Sequence, residues 1–303
     1  MNTKDNIRIF LGSEIAKRLD KIIFEQVTEI RLRVDKPLII KSKFGEFAID
    51  ENGDFSKVNI KSYSPNIEAI RETIERISQY SFYAFESELK LGYITLPGGH
   101  RVGVVGQAVV ENGLVCAWKY ISGLNIRVAH SALGCADAIL PHILDSLRFK
   151  HTMIISPPGF GKTTLLRDIV RQISNKGLTV GLVDERSEVA GCFQGVAQND
   201  VGFRTDVLDG CPKALAMVML LRGMSPDVIA VDELGGEQDS RAVDAVLNAG
   251  VKLLCTAHGN NVEETMANPS LSPMLSRGIF ERFIVLSKPY ITNVFDGGGN
   301  YVA

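Results

Sequence analysis

Met153-Ile154-Ile155-Ser156-Pro157-Pro158-Gly159-Phe160-Gly161-Lys162-Thr163-Thr164 decides the fold of this chain. A short apolar run enters a Pro/Gly loop. Leu165, Leu166, Ile169, Val170 and Ile173 then recur at helical spacing until Lys176-Gly177 closes the pattern. A strand, a glycine-rich loop and a helix that opens on Gly-Lys-Thr form a phosphate-binding loop in the context its chemistry needs. The glycines admit positive φ, so successive backbone N–H groups turn toward anionic oxygens. The helix N-terminus adds partial positive charge. Lys162 has the reach for the β- and γ-phosphates of ATP, and Thr163 the hydroxyl for Mg²⁺. Pro158, Gly159, Phe160, Gly161 and Thr164 complete the expected nucleotide cradle. Ser156 stands where the pattern has glycine, which tightens the first turn.

Working outward, the second half of the chain alternates short apolar runs with helical patterns. Strands are expected at 152–156, 178–183, 228–231, 251–255 and 282–286, the signature of a buried parallel sheet in an α/β layer. Ligands of such sheets sit beyond the carboxyl ends of the strands. Asp227-Val228-Ile229-Ala230-Val231-Asp232-Glu233 ends in two acids, with Asp232 the expected Mg²⁺-associated carboxylate and Glu233 a candidate to polarise the attacking water. A second strand ends in Asp184-Glu185 and a third runs into His258, expected to sense the γ-phosphate.

The first part of the chain reads differently. Ile30-Arg31-Leu32-Arg33-Val34 alternates with period two, and Glu111-Asn112-Gly113 is a hairpin signal between runs at 101–110 and 114–119. Asn125-Ile126-Arg127-Val128 is expected to be the last strand of this part. Between them lies a helix, with Ser64 as its expected cap and Ile67, Ile70, Ile74 and Ile77 on one stripe. The expected organisation is a smaller α+β N-terminal domain at 1–132, a linker around Ser131–Cys135, and a RecA-like P-loop ATPase domain with a mainly parallel sheet at 133–303.

Composition bounds the function. With Lys+Arg 33 against Asp+Glu 35 the formal net charge is −2, and no basic stretch is interleaved with aromatics. Both features weigh against a nucleic-acid-translocating RecA-like motor, and no nucleic-acid partner is expected. The five cysteines are scattered without C-x-x-C spacing, so neither a zinc site nor a disulfide framework is implied. No apolar signal region opens the chain and no run reaches membrane-spanning length, so a cytoplasmic protein is expected.

The order of phosphate loop, acidic box, second acidic strand and histidine box resembles the secretion-type ATPases, the motors of type II, type IV pilus and conjugation systems. The runs at 197–214 and 224–233, with 29–33 and 124–127 in the first part, resemble a sporulation-specific branch of that family. The resemblance implies an ATP-hydrolysing motor or assembly ATPase of a secretion-like channel between mother cell and forespore. It also implies a hexameric ring in the mother-cell cytoplasm, docked on integral-membrane components of that complex. In such rings the N-terminal domain lends arginines to the nucleotide, and the matching positions are Arg101 and Arg127; Arg204 and Arg222 are further candidates for a neighbouring subunit's site. Three departures stand out. The family's Glu-Asp-Pro box reads Asp184-Glu185-Arg186, Gly235-Gly236 replaces an arginine, and Thr256-Ala257-His258-Gly259 lacks a following threonine. The general base therefore stays open between Asp184, Glu185 and Glu233, with Glu233 favoured, and a nucleotide-gated, non-hydrolysing scaffold remains an alternative.

Overall fold

Residues 7–42, 44–59, 61–79, 86–90, 92–130, 133–288 and 291–303 are described by the computed structural model of the chain. The chain divides into two compact units, 1–130 and 131–303. Residues 131 and 132 of the expected linker lie outside the described residues.

The first unit carries seven strands: β1 (Val27–Arg33), β2 (Lys36–Ser42), β3 (Gly45–Ile49), β4 (Phe55–Ser56), β5 (Tyr93–Leu96), β6 (His100–Glu111) and β7 (Leu114–Arg127). They form one sheet in the order β4-β3-β2-β1-β7-β6-β5, with every pairing antiparallel. Alternation sends Ile30, Leu32, Leu38, Ile40, Val102, Leu124 and Ile126 into the core. Asn112 (φ 50°) and Gly113 (φ 79°) join β6 to β7, so both turn residues have the positive φ of a type I′ hairpin. The stretch 125–128 is not a separate strand; its residues through Arg127 continue β7. The helix cap lies two residues later than expected. Asn66 accepts the Ala69 N–H at 2.8 Å and caps Ile67–Ile77 in place of Ser64. Ile70, Ile74 and Ile77 are buried, while Ile67 in the first turn is exposed.

In the second unit a short hairpin of β8 (Leu144–Asp145) and β9 (Arg148–Phe149) precedes the main sheet. That sheet is built from β10 (Thr152–Ser156), β11 (Val180–Asp184), β12 (Thr205–Asp209), β13 (Val228–Val231), β14 (Lys252–His258), β15 (Arg282–Lys288) and β16 (Ile291–Asp296). Its order is β12-β11-β13-β14-β10-β15-β16, parallel throughout except for the antiparallel edge strand β16. Two cores flank it. On one face Ile154, Leu182, Ala230 and Leu254 pack with Leu165, Leu166, Ile169 and Ile173 of the helix Lys162–Asn175. On the other, Met153, Ile155, Ile229 and Leu253 pack with the helices Lys213–Met224 and Glu237–Asn248. The strands are apolar on both sides because helices cover both sides. Among the described residues no helix is long and apolar enough to cross a membrane.

Candidate nucleotide site

The phosphate loop leaves β10 and closes on Gly161 (φ 96°), which caps the helix Lys162–Asn175. Gly159 (φ 80°) turns with it, and a Cβ at either glycine would meet open space. Phe160 packs against the core, whereas Pro158 and Gly159 are exposed.

β14 lies between β10 and β13, so the contact between phosphate loop and acidic strand runs past its end. Thr163 Oγ1 donates to Asp232 Oδ2 at 2.9 Å. Thr256 of β14 donates to Asp232 Oδ1 at 2.7 Å and accepts the Glu233 N–H at 2.8 Å. A threonine hydroxyl beside a carboxylate fixed by two hydroxyls, at the start of the phosphate-loop helix, is an oxygen set that suits Mg²⁺ carried in with phosphates.

A second chain of contacts crosses the same edge. Lys162 Nζ lies 3.1 Å from His258 Nδ1, and His258 Nε2 lies 3.2 Å from Glu233 Oε1. An ammonium only donates, so Nδ1 accepts and Nε2 is left to face the Glu233 carboxylate. Burial pulls the Lys162 ammonium below the ordinary lysine value, against the pull of Asp232, Glu233 and Glu188. Glu233 also pairs with Arg186 at 3.5 Å. Its backbone is left-handed, with φ 60°.

Asp184 and Glu185 part company. The Asp184 carboxylate is 1% exposed and accepts four contacts of 2.8–3.2 Å from the N–H groups of Glu188, Val189 and Ala190. Burial raises its pKa, partly offset by those N–H donors. Its position is that of a loop anchor. Arg167, from the phosphate-loop helix, clamps the same loop by donating to Val189 O and Glu188 O. Glu185 is more open, and lines with Asp184 the cleft shared by Arg186, Glu188, Lys213, Asp232 and Glu233. Lys213 carried no expected role; its only sequence signal is a cation at the start of an otherwise apolar helix.

Arg101 and Arg127 belong to the first unit. They sit directly opposite each other on β6 and β7, and Arg101 stacks over Tyr93 at 4.3 Å. The β1–β7 register puts Glu29 opposite Arg127 and Arg31 opposite Asn125, so Arg31 and Arg33 share the face of Arg101 and Arg127. Glu29 shares that face and pairs with Arg31 at 2.9 Å, so the face is arginine-rich but carries its own carboxylate. Arg204 immediately precedes β12, and Arg222 lies in the last turn of the helix Lys213–Met224.

Comparison with known proteins places these features. The profile of the family described as sporulation stage III, protein AA, matches residues 1–297. Stage III sporulation protein AA of Bacillus subtilis (strain 168) is 38% identical over 288 residues, covering 92% of this chain and 89% of that protein. Among solved structures, the ATPase DotB of Legionella pneumophila superposes with a TM-score of 0.53 at 16% identity, covering 91% of this chain and 75% of that one. The pilus retraction motor PilT, solved with bound ADP, gives a TM-score of 0.56 at 15% identity over 88% of this chain and 78% of that one. The likeness to both is one of fold, the RecA-like P-loop architecture.

Proposed function

The chain belongs to the sporulation stage III protein AA family, and from that premise we propose that it hydrolyses ATP as the motor or assembly ATPase of a secretion-like complex. The observation that carries the reading is the meeting of Lys162, Thr163, Asp232, Glu233 and His258 at one sheet edge. ATP lays its phosphates on the N–H groups of residues 159–164, where Lys162 leaves His258 for the β- and γ-oxygens. Thr163 and Asp232 would hold Mg²⁺, which would supply charge neutralisation at the phosphates. Glu233 accepts the proton of the attacking water, with Glu185 as the second carboxylate at hand. His258 reports the γ-phosphate to Glu233, since its two ring nitrogens already touch Lys162 and Glu233.

Two like charges directly opposite on neighbouring strands destabilise a sheet. With Glu29 opposite Arg127 on its other side, the Arg101–Arg127 pair is read as reaching the phosphates of a nucleotide held by a neighbouring copy in a ring. The proposed place of action is the mother-cell cytoplasm, against integral-membrane components of the complex. Phosphate release from ATP and Mg²⁺, followed at rising protein concentration, tests the reading. Specific activity should climb with concentration and be lost in Lys162→Ala. Tight ATP binding without turnover at any concentration would leave a nucleotide-gated scaffold instead.

A further inference from the structure

Lys213 is placed against local preference. It is the first residue of the helix Lys213–Met224, whose N-cap, Pro212, offers no side-chain bond. A cation in the first turn opposes the helix dipole. A residue that breaks a local rule marks a place where something else is being satisfied. Here Lys213 Nζ donates to the backbone carbonyl of Glu233 at 2.6 Å and pairs with Glu185 Oε2 at 3.4 Å, on a side chain only 19% exposed.

The carbonyl it holds is a special one. Glu233 is a non-glycine residue at φ 60°, a conformation that persists only where its surroundings impose it. Its N–H is fixed by Thr256 Oγ1 and its C=O by Lys213, so two side chains from different elements pin both ends of one strained residue. That backbone directs the Glu233 carboxylate at His258 Nε2. The same ammonium draws Glu185 to itself.

Building on the hydrolytic reading above, we propose that Lys213 is the positioning residue that selects between the two acids. It locks Glu233 in the left-handed conformation that presents its carboxylate to the water and to His258, and it holds Glu185 out of that place. Lys213 touches neither phosphate nor water in this scheme; it acts through Glu233.

The test uses the full chain with Lys213→Met, which keeps the stem and helix propensity, and Lys213→Arg, which restores the charge. Lys213→Met should lower kcat roughly tenfold or more while KM for ATP moves less than about twofold, because an interaction felt only in the transition state is lost. Lys213→Arg should recover part of that loss. Adding Glu185→Gln to Lys213→Met should lower the residual rate further, because the released Glu185 is the acid that stands in for a misplaced Glu233. A crystal structure of Lys213→Met reads the same claim without turnover: Glu233 should leave positive φ. A rate equal to the parent, or a structure in which Glu233 keeps its conformation, overturns the proposal. If the parent itself releases no phosphate, the hydrolytic reading fails, and the structural arm still decides whether Lys213 holds Glu233.

Discussion

Asp184 and Glu185 are adjacent acids at one strand end and both line the cleft, yet only Asp184 is buried under backbone N–H donors. In the sequence they are indistinguishable, because both follow an apolar strand and precede a polar loop. The difference is a matter of backbone path. The loop after β11 turns back so that the N–H groups of 188–190 converge on Asp184, and no side-chain pattern records that turn. Glu185, one position on, is left facing Lys213. Asp184→Ala should strand those donors beside the core and destabilise the chain by about 1–3 kcal/mol, and Asp184→Asn should cost less, because one amide oxygen still accepts. Thermal unfolding measures it. An unchanged midpoint in Asp184→Ala would remove the anchor reading. By contrast, Lys162, Thr163, Asp232 and His258 were legible, since each sits at a strand end or loop position that its own motif fixes.

At the level of elements, legibility followed burial. The inner strands β10, β13 and β14 are continuous apolar runs and stand out. β12 contains two aspartates in five residues and lies on the sheet edge, where one side stays partly open, so its sequence reads as loop. The β6–β7 hairpin was visible through Asn112-Gly113, but the unbroken length of β7 was not. Gly123 and the polar residues around it interrupt the alternation that would have joined 114–119 to 125–127. One element junction has a pH dependence. His100, first residue of β6, is buried and accepts the Ala129 N–H at 3.0 Å through Nδ1, tying β6 to the chain that follows β7. Burial lowers its pKa from 6.5 to about 4, with His130 adding to the shift. The folded state thus binds this proton less readily than the unfolded state. Its contribution is complete above pH 6.5 and is lost as pH falls toward 4, amounting to about 3 kcal/mol at most. Trp118, the single tryptophan, lies on β7 and reports on this unit. Denaturant titrations followed by its fluorescence should show stability dropping from pH 6.5 to 4, and a shallower drop in His100→Gln. Equal slopes in the two proteins would rule the histidine out.

At the scale of the molecule, the chain carries two chemically complementary surfaces. In the proposed reading the second unit presents a cradle for phosphates, and the first a sheet face with Arg31, Arg33, Arg101 and Arg127 beside Glu29. The fold of each was readable from strand periodicity, because period two with polar faces and continuous apolar runs are different solutions to covering a sheet. Which residues share the basic face was not readable, because register decides it and register is a tertiary property. If the arginines serve the nucleotide of a neighbouring copy, the two surfaces need not be intact on the same polypeptide. Lys162→Ala lacks a working cradle but keeps its arginines, and Arg127→Ala keeps its cradle but loses a cation. Each alone should hydrolyse ATP at a small fraction of the parent rate. Mixed, they should regain activity, since some assemblies set an intact cradle against an intact arginine face. The regained rate should grow with total concentration and peak at an intermediate mixing ratio. Two other patterns speak against shared sites. Activity of the mixture equal to the sum of the separate proteins would confine each site to one chain, and full activity in Arg127→Ala alone would return that residue to the role of a solvated strand-edge charge.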